Sequence, residues 1–232
     1  MQTIGLLGGM SWESTVLYYR RINTGVKARL GGLHSARVAM VSVDFQEIET
    51  LQQQGAWDRS GEVLGQAARS VEAAGADFLL ICTNTMHRVA PQIEAAINIP
   101  VLHIADATAE AINKYGIQTV GLLGTRFTME QEFYAGRLRD RHGLKVLVPP
   151  QADRELVHEV IYSELVLGNV RAASRDEFVR IIKDLQAAGA QGVIAGCTEI
   201  GMLVQQEHIS LLLFDTTLIH ADAAVERALR LT

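Results

Sequence analysis

Only two cysteines, Cys82 and Cys197, occur in the 232 residues. They form no CxxC or Cys/His spacing, so a zinc cluster is not expected. Two thiols in a reducing compartment are read as free rather than bridged. An excess of basic charge is also missing. The formal net charge is −5 and Lys and Arg are scattered along the chain. No positive field is therefore offered to a phosphate backbone, and nucleic acid is not expected as a partner. No apolar run reaches the roughly 18 residues of a membrane helix, and the first residues carry neither a basic n-region nor a cleavage signal. The expectation is a cytoplasmic, soluble protein with no membrane partner. Linkers, low-complexity tracts, a GxGxxG fingerprint and a Walker lysine are absent too, which leaves no positive sign of a nucleotide site.

What is present is a repeat. Residues 71–85 recur without a gap at 185–199, an offset of 114 (185 minus 71), which sets Thr83 opposite Cys197. A second echo joins Ile4-Gly5-Leu6-Leu7-Gly8 to Val120-Gly121-Leu122-Leu123-Gly124 at an offset of 116. The chain therefore reads as two copies of one unit, each of a size that can bury its own core. Short apolar runs alternate with helical stretches, the pattern of α/β units on mostly parallel sheets. Strands are expected at 3–7, 38–45 and 78–82 in the first copy and at 119–123, 145–148 and 193–195 in the second. Helices are expected at about 12–30, 58–74, 106–115, 126–142, 152–167 and 175–188. Ser174 with Glu177 reads as a capping box, and Gly75 and Gly189 as helix stops. A late strand at 211–214 and a helix at 216–229 are expected to return to the first copy. The domains are thus 1–98 plus 209–232, and 99–208. The fold expected is two pseudo-twofold-related α/β domains with the active site in the cleft between them.

In open parallel sheets ligands collect beyond the carboxyl ends of the strands. There stand Thr83-Asn84-Thr85 in one copy and Cys197-Thr198-Glu199 in the other. Helix capping accounts for such polar turns as well, but freed backbone N–H groups also bind carboxylates. Cys82 aligns with Gly196, and neighbouring strand residues face opposite ways, so Cys82 is assigned to packing and Thr83 to the cleft. The turns Gly8-Gly9-Met10-Ser11 and Gly124-Thr125-Arg126-Phe127-Thr128 follow the first strand of each copy and offer N–H groups and hydroxyls to a small carboxylate. Asp44, Gln46 and Gln52 follow the second strand, and Gln52 is the candidate contact to a substrate side chain.

At these residues the chain resembles the aspartate/glutamate racemase family over its whole length. The resemblance rests on Gly8-Gly9-Met10, Asn84-Thr85 with His87, Gly121 to Thr125, and Gly196-Cys197-Thr198-Glu199. It implies a cofactor-independent, pyridoxal-free amino-acid racemase, with two thiols exchanging an α-proton on opposite faces of the substrate. It also implies a homodimer. Here one thiol position holds Thr83, so the implied pair is Cys197 as thiolate base and Thr83 as proton donor, with the L-amino acid as the favoured substrate. Substrate contacts are expected at Met10, Gln52, Asn84, Thr85, Thr125, Thr128, Thr198 and Glu199. Glu199 is either a partner of the substrate or a helix cap, and His87 a helix-surface or packing residue. The family's aspartate enzymes often carry cations after the second strand and two residues before the glycine that is Gly168 here. This chain has neither, with Val166 at the second place and Arg126 as a possible substitute. Aspartate or glutamate is the implied substrate, against neutral or basic amino acids. A single-thiol decarboxylase or isomerase of the same superfamily, and an amino-acid-binding module without catalysis, stay open as alternatives.

Overall fold

A computed structural model of the chain describes residues 1–230. The chain forms two compact units, Met1–Ile104 together with the C-terminal segment from His220, and Ala105–Ile219. The first unit runs β1 (Ile4–Gly8), α1 (Trp12–Leu30), β2 (Val38–Ser42), α2 (Phe45–Gln53), α3 (Trp57–Ala73), β3 (Phe78–Ile81), a 3-10 turn (Thr85–Val89) and α4 (Ala90–Ala96). From α5 (Ile104–Asn113) the second continues with β4 (Thr119–Gly124), α6 (Arg126–Glu130), α7 (Glu132–His142), β5 (Lys145–Leu147) and α8 (Gln151–Ser163). It ends with α9 (Ala172–Ala187), β6 (Gly192–Gly196), α10 (Ile200–Leu203) and β7 (Leu212–Asp215), before α11 (Thr216–Leu229).

Both sheets are parallel and share one plan. The first has the order β2-β1-β3 and the second β5-β4-β6-β7. The fourth place exists in the first unit as a single parallel bridge, Leu79 to Val101, beside β3. The sequence repeat is thus a repeat of topology, β1 answering to β4 and β3 to β6.

Alternation along the strands explains the packing of the first unit. Ile4 and Leu6 on β1, and Phe78, Leu80 and Cys82 on or after β3, enter one core with Tyr18, Ile22 and Val26 of α1. Those three α1 positions are four apart, so one helical face covers the sheet. Leu7, Leu79 and Ile81 point the other way, against Leu64, Ala68 and Val71 of α3. Burial of each large apolar side chain contributes about 1.5–3 kcal/mol.

Several boundaries differ from the sequence reading. Strand β7 hydrogen-bonds to β6, so it belongs to the second unit, and the chain returns to the first only at His220. The stretch 126–142 is two helices, because Gln131 is extended, with φ −105° and ψ 144°. Strand β2 ends at Ser42, and Asp44 caps an additional helix, α2, by accepting from Gln46 N–H at 3.1 Å. Ser174 lies inside α9, whose N-cap is Arg171. Its hydroxyl goes to the buried Glu164 carboxylate at 2.7 Å instead of forming a capping box. No helix among the described residues is long and apolar enough to cross a membrane.

Candidate active site

In each unit, two turns stand side by side at the carboxyl edge of the sheet. In the first unit, Cys82 N–H donates to Leu7 O at 2.9 Å, which brings the turn after β3 against the turn after β1. Gly9 has φ +95°, and a Cβ there would collide with the Val43 carbonyl, so only glycine fits. Its N–H donates to Thr15 Oγ1 at 2.9 Å. Ser11 caps α1, and Ser14 Oγ donates to Ser11 O at 2.9 Å while lying 3.4 Å from Cys82 O. Ser14 and Thr15 are supports that the sequence reading passed over, although a serine and a threonine in a first helical turn commonly bond to nearby backbone.

Thr83 is nearly buried, with 9 % of its surface exposed. Its N–H donates to Ile81 O at 2.9 Å. Its carbonyl accepts from His87 Nδ1 at 2.8 Å. Cys82 is fully buried in the apolar core, and burial pushes its thiol far above the ordinary range, as its assignment to packing requires. Asn84 and Thr85 are buried at the head of the 3-10 turn, and Asn84 makes no side-chain cap bond there. Gln52 is buried near the end of α2, with Nε2 3.0 Å from Met86 Sδ. Met10 packs into the core with Leu7 and Ile48.

The second unit repeats the arrangement with different chemistry. Gly124 pairs in register with Gly196, placing Thr125 and Cys197 next to each other beyond β4 and β6. A Cβ on Gly196 would lie 2.9 Å from Leu123 O, so the close strand approach depends on glycine. Thr125 caps α6, its Oγ1 accepting from Thr128 N–H at 3.3 Å and lying 3.2 Å from Thr128 Oγ1. Arg126 is exposed, and its backbone N–H donates to His158 Nδ1 at 3.3 Å.

Glu199 does not cap α10, although it occupies the N-cap position. Its buried Oε2 accepts from Cys197 Sγ at 3.0 Å and from Thr198 Oγ1 at 2.6 Å. Burial pushes the Cys197 thiol well above its ordinary range, and the charge of Glu199 pushes it further the same way. The resting group is therefore a thiol already donating to a carboxylate. Of the expected site residues, the structure joins Thr83, Asn84 and Thr85 in one turn, and Cys197, Thr198, Glu199 and Thr125 in the other unit. Met10, Gln52 and Thr128 are engaged in packing or capping within their own units. No group of three or more metal-ligating side chains occurs among the described residues.

Comparison with known proteins gives one family. The model of the Asp/Glu/Hydantoin racemase family matches residues 7–224. A crystal structure of a candidate Asp/Glu racemase from Yersinia pestis is 56 % identical, covers 99 % of this chain and 100 % of its own, and superposes with a TM-score of 0.93. An aspartate racemase homologue from Pyrococcus horikoshii OT3 is 34 % identical over 98 % of this chain and 99 % of its own, with a TM-score of 0.84. An aspartate racemase from Picrophilus torridus is 20 % identical over 98 % of this chain and 94 % of its own, with a TM-score of 0.80, and shares the fold.

Proposed function

The chain belongs to the Asp/Glu/Hydantoin racemase family, and from that premise we propose that it racemises an amino acid without pyridoxal, through Cys197 and Thr83. The observation that carries the reading is the 3.0 Å contact between Cys197 Sγ and Glu199 Oε2. A carboxylate so placed can take the thiol proton and leave the thiolate, the form that acts as a base. The thiolate removes the α-proton of an L-amino acid. The Cα–H bond breaks, S–H forms, and the electron pair spreads into the substrate carboxylate as a planar anion. Thr83 then gives its hydroxyl proton to the other face, forming the new Cα–H bond, and water restores the hydroxyl. Glu199 then gives up the proton it took, which neutralises the hydroxide left by that water, and the pair returns to thiol and carboxylate. Backbone N–H groups of Asn84, Thr85 and Thr198, with the Thr85 hydroxyl, are the proposed holders of the substrate carboxylate.

The two proton handlers are unequal. An ordinary thiol ionises near ~8.5, whereas an aliphatic hydroxyl ionises far above that range. Thr83 is thus an adequate donor and a poor base. The enantiomers have equal free energy in water, so kcat/KM must be the same in both directions. The asymmetry belongs instead to kcat and KM separately, with the higher kcat from L to D, and to α-proton loss that precedes conversion. Aspartate or glutamate is the proposed substrate. The lack of a cation in 42–46 and at Val166 favours, as a second reading, neutral or basic amino acids. The proposed working unit is a cytoplasmic homodimer, which light scattering checks for its mass. The function is tested with L- and D-aspartate, glutamate, glutamine and lysine in deuterium oxide. Wild type is expected to exchange the α-proton of at least one, and Cys197→Ser to exchange none. Exchange surviving in Cys197→Ser rejects the mechanism, and its absence from wild type rejects the activity.

A further inference from the structure

We infer that His87 is a positioning residue for Thr83, a role that rests on the racemase reading of that threonine. The side chain is buried, 2 % exposed, and both ring nitrogens bond to backbone. Ile104 N lies 3.2 Å from Nε2, and a backbone N–H can only donate, so Nε2 carries the lone pair. Nδ1 therefore carries the hydrogen and donates it to the Thr83 carbonyl at 2.8 Å. Geometry alone fixes a neutral ring with one tautomer, since a second proton would set N–H against N–H.

With its N–H held by Ile81 and its carbonyl by His87, Thr83 has both backbone groups fixed, and its side chain leaves the turn in one direction. No hydrogen bond of the Thr83 hydroxyl to a described residue competes with that direction. His87 is itself held from two sides. Its ring lies 4.4 Å from that of His103 and 6.1 Å from that of His220. His220 Nε2–H donates to Leu102 O at 2.7 Å, and Tyr18 O–H donates to His220 Nδ1 at 2.9 Å. The chain leaves the first unit after Ile104 and re-enters at His220. The proton donor's turn is therefore fastened, through His87, to both places where the chain passes between units.

Two substitutions divide the ring's two bonds. The amide nitrogen of asparagine falls near Nδ1 and can still donate to Thr83 O, whereas the amide oxygen of glutamine falls near Nε2 and keeps only the Ile104 bond. The assay follows, in deuterium oxide, solvent deuterium in recovered L-amino acid per D-amino acid formed. The probes are L-aspartate, L-glutamate, L-glutamine and L-lysine. His87→Gln is expected to lower turnover on the order of 10- to 100-fold, the effect of misplacing a reacting group by about an ångström. KM and deuterium uptake by recovered L-substrate should change little, so the ratio rises. His87→Asn should restore most of the turnover. A ratio unchanged in His87→Gln, or equal losses in both variants, overturns the positioning role while leaving the racemase reading intact. Wild type without exchange removes the racemase reading and this role with it. Should neither variant fold, nitrogen-15 NMR of the wild-type imidazole decides, since the Nδ1–H tautomer is required and the Nε2–H tautomer contradicts it.

Discussion

Replacing Glu199 with glutamine should move two properties of the protein in opposite directions. Cys197 Sγ lies 3.0 Å from Glu199 Oε2, and both side chains are buried. At that distance, with an effective dielectric near 20, two unit negative charges repel by about 5 kcal/mol. Thiolate and carboxylate therefore do not coexist, and the pair holds one shared proton. Glutamine keeps the shape and removes the charge. Burial, the larger cause of the raised thiol pKa, stays, while the repulsion goes. The thiol titration of Glu199→Gln should shift to lower pH, read by thiolate ultraviolet absorbance. Cys82 adds no signal, because burial holds it protonated. Turnover should fall by about 10²–10⁴, the usual contribution of a positioned proton acceptor, because a less basic thiolate meets the Cα proton and no carboxylate takes the proton of the resting thiol. A titration that stays put or rises, or a turnover that climbs with the thiolate fraction, would refute the reasoning.

Two further outcomes follow from the same structure. Thr83→Cys should make the handlers alike, so α-proton loss from the D-enantiomer rises toward that from the L-enantiomer, as proton NMR in deuterium oxide can follow. His220 is held near a pKa of about 4 by burial, against an ordinary value of 6.5. The unfolded chain takes up that proton first, so the stabilisation is whole above pH 6.5 and is lost as pH falls from there toward 4. Urea unfolding should show about 2 kcal/mol less stability at pH 5 than at pH 7 from this group. Most of that difference should vanish in His220→Gln.

Much of this arrangement was legible in the amino-acid order because it is written twice. The matched strands β1 and β4, the matched turns after β3 and β6, and the glycines that stop α3 and α9 all lie inside the repeats. The alignment of Cys82 with Gly196, together with strand alternation, assigned Cys82 to packing, and Cys82 lies in the core under α1. The helix α2 was hidden because its nine residues include only Phe45, Ile48 and Leu51 as apolar members, too few to mark a period. Strand β7 fell outside the repeat, since its counterpart in the first unit is one bridge at Val101, so its partner was misassigned. Ser174 looked like a cap because the Ser-x-x-Glu spacing was right, but the buried Glu164 took its hydroxyl. Side-chain direction was the least legible property. Nothing in Cys-Thr-Glu says that the carboxylate turns back on the thiol, and nothing local links His87 to His103 and His220.

The unequal pair is tested most directly by following α-proton loss and stereochemical conversion together in deuterium oxide, starting from each enantiomer of one substrate. The account predicts that the L-amino acid gains solvent deuterium faster than it becomes D, while the D-amino acid gains deuterium only as fast as it becomes L. Equal deuterium uptake by the two recovered enantiomers would contradict it.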